Sequence, residues 1–350
     1  MKSASIPFLL QALLAAVFFG ASAPLSKLLL GDVPPVLMAA FLYLGSGTGL
    51  VLTKLIQSGR SGPQREASLR RADLPWLAGA ILSGGVAAPI VLMFSLENTP
   101  ASTASLLLSF EGVATTLIAL FVFKESIGRR AWAAILSITQ ASVFLSVNFS
   151  SGWGLSLGAL GILLACILWG VDNNLTRNIS GKDPLQIVAW KGLLAGTFSL
   201  LLAVFLGNQF PPLLSILAIL LIGWVCYGLS TMLFIQSMRG LGAARTSALY
   251  GTAPLAGVIL SIFIFGELPS AFFTFAALLM VGGALLLVNE KHQHFHLHSA
   301  QVHEHSHDHV DSEHGHDSQP GTHAHDHEHP EQQHEHDHLP DIHHRHEHKD

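Results

Sequence analysis

The chain has 350 residues, of which half are apolar and only 12% are charged. Residues 1–291 contain 16 Lys or Arg and 10 Asp or Glu, a net charge of +6, and they contain no histidine. Residues 292–350 contain 2 Lys or Arg and 13 Asp or Glu, a net charge of −11, together with all 21 histidines. The composition predicts a membrane-embedded body with an acidic, histidine-rich tail, and it excludes a single soluble globule. Cys166 and Cys226 lie inside apolar runs, which argues against a disulfide framework, and nothing indicates nucleic-acid binding.

Ten apolar stretches are long enough to be transmembrane helices, which need about 20 mostly apolar residues. In chain order they are residues 8–30, 36–56, 74–96, 101–123, 131–147, 157–175, 185–206, 213–238, 243–265 and 272–288. A cleaved signal peptide is the alternative for the first stretch, because Ala21-Ser22-Ala23 has a small-x-small pattern. We expect this helix to be retained, because it has a counterpart in the second half of the chain.

Basic residues predict the orientation of the helices, because Lys and Arg collect on the cytoplasmic side of a membrane. With the N-terminus in the cytoplasm, 14 basic residues lie on the cytoplasmic side, Lys27 lies on the opposite side, and Lys191 lies within a helix. Both termini are therefore predicted to be cytoplasmic.

The two halves of the apolar region resemble each other. Matching residues are Gly20 with Gly170, Lys27 with Arg177 and Pro34 with Pro184 at an offset of 150, and 121–125 with 263–267 at an offset of 142. Chance similarity between apolar helices is the alternative, but the matches include Gly, Pro and Glu and fall in order. Five spans in each half would thread the second half in the opposite direction, and such inverted repeats are typical of secondary transporters that work by alternating access.

These features resemble the EamA-like family of the drug/metabolite transporter superfamily. The resemblance rests on the matched Gly, Pro and basic residues, and on the aromatic-x-aromatic-x-Glu pattern at 121–125 and 263–267. Residues 169–177, Phe110-Glu111-Gly112 and the histidine-rich tail resemble a bacterial subgroup. The resemblance implies a multi-pass protein of the bacterial inner membrane that carries small organic molecules, often outward, without a cofactor and without enzymatic activity. Its partners would be the lipid bilayer and a small-molecule substrate. A homodimer is the assembly considered, although the sequence leaves the oligomeric state open.

The predicted fold class is an all-α polytopic membrane protein with ten transmembrane helices in two inverted five-helix repeats. We assign residues 1–148 to the first repeat and residues 149–291 to the second. Residues 292–350 are predicted to be a disordered cytoplasmic tail, because apolar residues are few and prolines interrupt it.

Glu111 is the deepest ionisable residue of the predicted spans, ten residues into the fourth. An ionisable group at mid-bilayer costs at least about 2.5 kcal/mol, so it usually has a partner or a function. We expect Glu111 to bind substrate or to carry a coupling proton. The alternative is a structural glutamate that is hydrogen-bonded to neighbouring serines. The repeat places Ala253 at the equivalent position, so the second half lacks this carboxylate.

Asp172, Asn173 and Asn174 form the densest polar cluster, and Lys191 lies beyond a short loop at a similar depth. We predict an ion pair between Asp172 and Lys191, because an isolated lysine in lipid is far less stable than a paired one. The pair would either fix this hairpin or act in gating or substrate binding. Glu125 and Glu267 are predicted to be structural residues at helix ends.

Histidine alternates with acidic and small polar residues along the tail. The histidines considered as loose metal ligands are His303, His305, His307, His309, His323, His325, His327, His329, His334, His336 and His338. Imidazole is a common ligand of divalent metals, so the tail is expected to bind Zn, Ni, Co or Cu. We favour a carrier of organic metabolites or drugs. The alternatives are a divalent-metal efflux protein, for which the spans offer no histidine, and a metal-responsive membrane protein without transport.

Overall fold

The computed structural model describes most of the apolar body and four stretches of the tail. The described residues are 6–58, 67–123, 129–148, 154–179, 182–241, 250–266, 270–288, 292–298, 301–307, 323–329 and 332–338.

The described part of the first half contains seven α-helices. They are α1 (Ile6–Leu30), α2 (Pro35–Ser58), α3 (Leu74–Ala80), α4 (Ala88–Glu97), α5 (Ala101–Leu107), α6 (Phe110–Phe123) and α7 (Arg129–Ser146). A 3₁₀ turn, Arg71–Asp73, precedes α3, and a π-helical segment, Ile81–Ala87, joins α3 to α4.

The second half begins after a short antiparallel pair of strands, β1 (Val147–Asn148) and β2 (Gly154–Leu155). Its helices are α8 (Leu157–Arg177), α9 (Pro184–Phe205), α10 (Leu213–Ile222), α11 (Ser230–Leu241), α12 (Ala253–Phe265) and α13 (Ala271–Val288). A second π-helical segment, Gly223–Leu229, joins α10 to α11.

Seven helices in the described part of the chain are long and apolar enough to cross a membrane. They are Pro7–Leu30, Pro35–Ile56, Arg71–Glu97, Ala101–Val122, Leu157–Arg177, Pro184–Phe205 and Leu213–Phe234. Three shorter apolar helices, Trp132–Leu145, Ala253–Phe265 and Ala271–Gly283, account for the remaining predicted stretches. The part of the ninth stretch before Tyr250 lies outside the described residues. The chain is thus a multi-pass, largely helical membrane protein.

The helices of the two halves pack against one another across the body. α1 packs against α11 and α12, whereas α8 packs against α4 and α6; α2 packs against α9, and α7 packs against α13. Glycine permits the closest of these approaches. A methyl group at Gly20 would collide with the carbonyl of Ala253, and one at Gly170 would press on the backbone of Ala114. Gly20 and Gly170 are repeat partners, so both halves use the same small residue to bring helices together.

The two π-helical segments also occupy equivalent positions. Residues 81–87 and 223–229 are related by an offset of 142, the same offset that matches residues 121–125 with 263–267 in the sequence. A π-helical turn shifts the backbone hydrogen bonds by one residue, and such turns are frequent at functional sites.

Four stretches of the tail are strands. They are β3 (His292–His298), β4 (Gln301–His307), β5 (His323–His329) and β6 (Gln332–His338). β3 pairs with β6 and β4 with β5, both antiparallel. These strands cover only parts of residues 292–350, and the disorder of the tail stays a prediction. The alternation of histidine with other residues has the two-residue period of a strand, and the prediction gave this period no weight.

Candidate functional site

The polar residues of α8 include one that is exposed inside the bundle. The exposed apolar stripe of α8 is formed by Leu157, Leu160, Leu164 and Ile167. Asn173 is also exposed, but with 3.6 residues per turn it lies on the opposite side of the helix. The stripe is the surface suited to lipid, so the amide of Asn173 faces the interior of the bundle.

Glu111 lies across from this amide, in the first turn of α6. Asn173 Nδ2 donates hydrogen bonds to Glu111 Oε1 at 2.8 Å and to Thr115 Oγ1 at 3.1 Å. Asn174 Nδ2 donates to the backbone oxygens of Thr115, at 3.1 Å, and Gly170, at 2.8 Å. Two neighbouring asparagines of α8 thus hold α6 in register and orient the carboxylate of Glu111.

Asp172 and Lys191 form an ion pair between α8 and α9. The Asp172 side chain is only 4% exposed and that of Lys191 only 18%. Thr176 Oγ1 donates to the second carboxylate oxygen of Asp172 at 2.9 Å. The predicted ion pair is therefore confirmed, and both oxygens of the buried carboxylate have partners.

Gly84, in the first π-helical segment, provides the surface on which this carboxylate rests. A methyl group at Gly84 would overlap the side chain of Asp172. The Gly84 carbonyl accepts hydrogen bonds from Tyr43 Oη at 2.6 Å and from Trp169 Nε1 at 3.0 Å. The π-helical segment is consequently tied by side chains to α2 and α8, directly beside the ion pair.

The three tyrosines of the chain belong to one aromatic cluster. The ring of Tyr43 lies 5.7 Å from that of Tyr227, centroid to centroid. Phe19 lies 6.2 Å from Tyr227 and 5.4 Å from Tyr250, and Phe234 lies 4.7 Å from Tyr250. The cluster joins α1 and α2 of the first half to the second π-helical segment and α11 of the second half.

The phenol hydroxyls of Tyr43 and Tyr250 have partners within the protein. Tyr43 donates to the backbone oxygen of Gly84, as described above. Tyr250 Oη lies 3.4 Å from Ser230 Oγ. Tyr43 and Tyr227 are buried, whereas Tyr250 is only partly buried. Gly84, to which Tyr43 is hydrogen-bonded, packs against Asp172, the neighbour of Asn173 on α8, so the cluster lies beside the contact of Asn173 with Glu111. We call Glu111, Asn173, Phe19, Phe234 and the three tyrosines the central site.

Two other polar contacts secure helix ends away from the central site. Lys27 Nζ donates to the backbone oxygens of Leu96, at 2.7 Å, and Thr99, so this lysine binds the C-terminal end of α4. Asp183 caps α9 by accepting from the Leu185 amide at 2.9 Å, and it pairs with Lys54 at 3.1 Å.

Comparison with known proteins places this architecture in a family. The family model of the EamA-like transporters matches the chain twice, over residues 6–147 and 156–289. These matches span well over half of the sequence. The chain belongs to the EamA-like transporter family. Proteins of this family are transporters, so the chain is a membrane transporter by descent.

Two relatives of this EamA-like protein show how similar its sequence is to other members. A protein of Methanothermobacter thermautotrophicus, described as an uncharacterized transporter, is 27% identical over 290 residues, which cover 78% of this chain and 83% of the relative. A protein of Streptantibioticus cattleyicolor, described as a probable terminal-alkyne amino-acid exporter, is 27% identical over 244 residues, or 66% of this chain and 78% of the relative.

A solved crystal structure of a protein has the same fold, with a TM-score of 0.59. The match covers 79% of this EamA-like chain and 94% of the solved chain, at 20% sequence identity. At this identity the likeness concerns the fold alone.

The structure brings together the intramembrane residues that the sequence singled out. Glu111 contacts Asn173, Asp172 contacts Lys191, and Asn174 ties α8 to α6. Whether these residues act on a substrate stays a prediction. Glu125 and Glu267, and His309 of the tail, lie outside the described residues. The other tail histidines considered as ligands fall on β4, β5 and β6.

Sequence reasoning missed the tyrosines and the role of Cys166. All three tyrosines lie in apolar stretches, and a phenol placed inside a membrane would have been a usable signal. Cys166 Sγ lies 3.6 Å from the Leu107 carbonyl, at the interruption between α5 and α6. The thiol therefore contacts a backbone carbonyl oxygen at the interruption between α5 and α6.

Proposed function

We propose that the protein is a secondary transporter that exports small organic metabolites or drugs by alternating access. In this proposal the body consists of ten transmembrane helices in two inverted five-helix repeats, residues 1–148 and 149–291. The protein lies in the bacterial inner membrane with both termini in the cytoplasm. It works without a cofactor, and the central site together with Asp172, Asn174 and Lys191 receives the solute.

The observation that carries this proposal is the exchange symmetry of the helix packing. The most extensive contacts between the halves correspond to one another when every span is replaced by the one five positions along. The packing of α1 on α11 and α12 corresponds to that of α8 on α4 and α6, and the α2–α9 and α7–α13 contacts map onto themselves. Two halves that pack in equivalent ways can exchange conformations around a shared site.

The π-helical segments support a moving part in each half. Ile81–Ala87 and Gly223–Leu229 are equivalent in the repeat, and each lies next to the central site. A helix interrupted in this way bends where its hydrogen-bond register changes, so both halves carry a bend at the same depth.

Inverted threading can be tested on one repeat-related pair of glycines. Gly31 and Gly181 are matched by the offset of 150. We would replace each with cysteine in a chain whose Cys166 and Cys226 are serine, and label intact and permeabilised cells with a membrane-impermeant maleimide. The proposal requires the two positions to react from opposite sides of the membrane. Labelling of both from the same side would overturn the inverted repeat and the alternating-access mechanism with it.

For the tail we propose loose binding of Zn, Ni, Co or Cu, as an accessory to transport. Histidine positions pair with histidine positions in both ladders, as His303 does with His327 and His305 with His325. Neutral imidazoles are common ligands of these ions.

Deletion of residues 292–350 separates an accessory tail from a metal exporter. Ni²⁺ binding by the purified protein should fall, while the counterflow of organic solutes in proteoliposomes should persist. If the deletion abolished metal tolerance in cells and no organic solute were carried by either form, the divalent-metal efflux function would be the better account. A form that bound metal but carried nothing would indicate a metal-responsive protein.

A further inference from the structure

The charges around the central site are unequal, and this asymmetry narrows the class of solute. Asp172 and Lys191 neutralise each other. Glu111 forms no ion pair among the residues that the structure describes, and Asn173 donates to only one of its oxygens. When ionised, Glu111 therefore gives the site an uncompensated negative charge with a spare acceptor oxygen.

The basic side chains nearest to the site have partners of their own. Lys191 donates to Asp172, and Arg177, one turn beyond Asn173 on α8, also interacts within the protein. An anionic group on a solute would thus meet the charge of Glu111, while Lys191 is already paired with Asp172.

The opposite wall of the site is aromatic. Tyr250 and Phe234 are only partly buried, whereas Tyr43 and Tyr227 lie in the core with 7% and 9% of their surface exposed. Phe19 lies on the side of α1 opposite its exposed stripe of leucines, and it is only partly buried. Aromatic faces attract cations and stack on flat apolar groups.

We infer that the central site accepts an organic cation, a protonated amine that carries an apolar or aromatic group. The ammonium binds Glu111, beside the amide of Asn173, and the hydrocarbon part lies against the partly buried rings of Tyr250, Phe234 and Phe19. A carboxylate and several ring faces both favour positive charge, and only the carboxylate is needed to distinguish an amine from a neutral solute of the same shape. This inference rests on the proposed carrier function, because it names the solute of the same site.

Binding to the full chain in lipid nanodiscs tests the inference by calorimetry. The probes are phenethylammonium, its neutral analogue 2-phenylethanol, and the zwitterion L-phenylalanine. We expect the wild type to bind phenethylammonium at least about tenfold more tightly than either of the other two, since charge-assisted contacts are about twice as strong as neutral ones.

Four variants assign the effect to the site. Glu111→Gln should weaken phenethylammonium binding about tenfold, and Tyr250→Leu should weaken it severalfold. The matched controls are Glu97→Gln, a carboxylate exposed at the end of α4, and Phe121→Leu, a ring 73% exposed on α6. Both controls should bind as the wild type does.

The inference is overturned if phenethylammonium binds no better than L-phenylalanine, or if Glu111→Gln binds it as tightly as the wild type. Glu111→Asp guards against a folding defect, because it keeps the charge and should retain most of the affinity. Labelling of Gly31→Cys and Gly181→Cys tells the two failures apart. Opposite-side labelling with no preference for the cation would refute only the solute class, whereas same-side labelling would refute the carrier mechanism itself.

Discussion

The Asp172–Lys191 pair is buried deeply enough that its two members should depend on each other for stability. Breaking a buried pair by removing one partner costs about 3–5 kcal/mol, because the remaining charge is left without compensation. Asp172 is the more enclosed of the two, with 4% of its side chain exposed against 18% for Lys191. We therefore expect Lys191→Met to approach the upper end of that range. Asp172→Asn should cost less, because a lysine can extend its amine toward a helix end.

A double-mutant cycle measures the dependence. Asp172→Asn combined with Lys191→Met leaves no isolated charge, so the double variant should be far more stable than the sum of the single losses predicts. We expect a coupling energy of about 2–4 kcal/mol. The assay is reversible unfolding in mixed SDS and dodecylmaltoside micelles, followed by tryptophan fluorescence. Exchange of the two charges is a poor substitute, because a lysine at position 172 would meet the backbone of Gly84.

The same cycle on Lys54 and Asp183 is the control. Their charged atoms lie 3.1 Å apart, but the Lys54 side chain is 53% exposed. Exposed pairs contribute about 0–1 kcal/mol, so this coupling should be small. Equal coupling energies for the two pairs, or a value below about 0.5 kcal/mol for Asp172–Lys191, would refute the argument from burial.

Three further predictions follow from single contacts. Gly84→Ala should destabilise the protein strongly and disturb the ion pair, because the added methyl group overlaps the Asp172 carboxylate. Gly31→Ala is the control: its methyl group meets no atom within 4 Å, so thermal stability should not change. Asp183→Ala should cost about 1 kcal/mol through loss of the cap on α9, and Lys54→Ala should cost less than about 0.5 kcal/mol in the same micelle assay. If Glu111 carries a coupling proton, Glu111→Gln should make flux in proteoliposomes independent of pH between about 6 and 8, a range that brackets neutrality; an unchanged pH profile would reject the proton role.

The sequence predicted contacts that depend only on depth in the membrane. Asp172 and Lys191 lie at similar distances from one short loop, so a helical hairpin brings them together whatever the rest of the bundle does. The Glu111–Asn173 bond could not be predicted in this way. It joins helices that are not neighbours in the chain, and one sequence does not tell which faces of α6 and α8 meet.

Backbone irregularities were harder still to predict. The residues of Ile81–Ala87 and Gly223–Leu229 are ordinary for apolar helices, and no residue type marks a change from α-helical to π-helical hydrogen bonding. Their equivalence becomes visible only when the structure is compared with the repeat. In the tail, composition favours disorder, whereas the alternation of histidine has the two-residue period of the strands at residues 292–298, 301–307, 323–329 and 332–338.

The repeat preserves the scaffold but not the polar residues, and this difference has an energetic consequence. The partners of Asp172 and Lys191 in the other half are Ser22 and Phe41, which cannot form an ion pair. If the halves exchange conformations as proposed, a contact between Ser22 and Phe41 takes the place of the ion pair. That contact lacks the coupling energy of about 2–4 kcal/mol that we expect for Asp172 and Lys191. A difference of 2.7 kcal/mol corresponds to about a hundredfold population ratio, so one conformation would dominate unless a solute compensates. A cation bound at Glu111 is suited to that role, because it brings into the site a positive charge that the protein otherwise supplies only to Asp172.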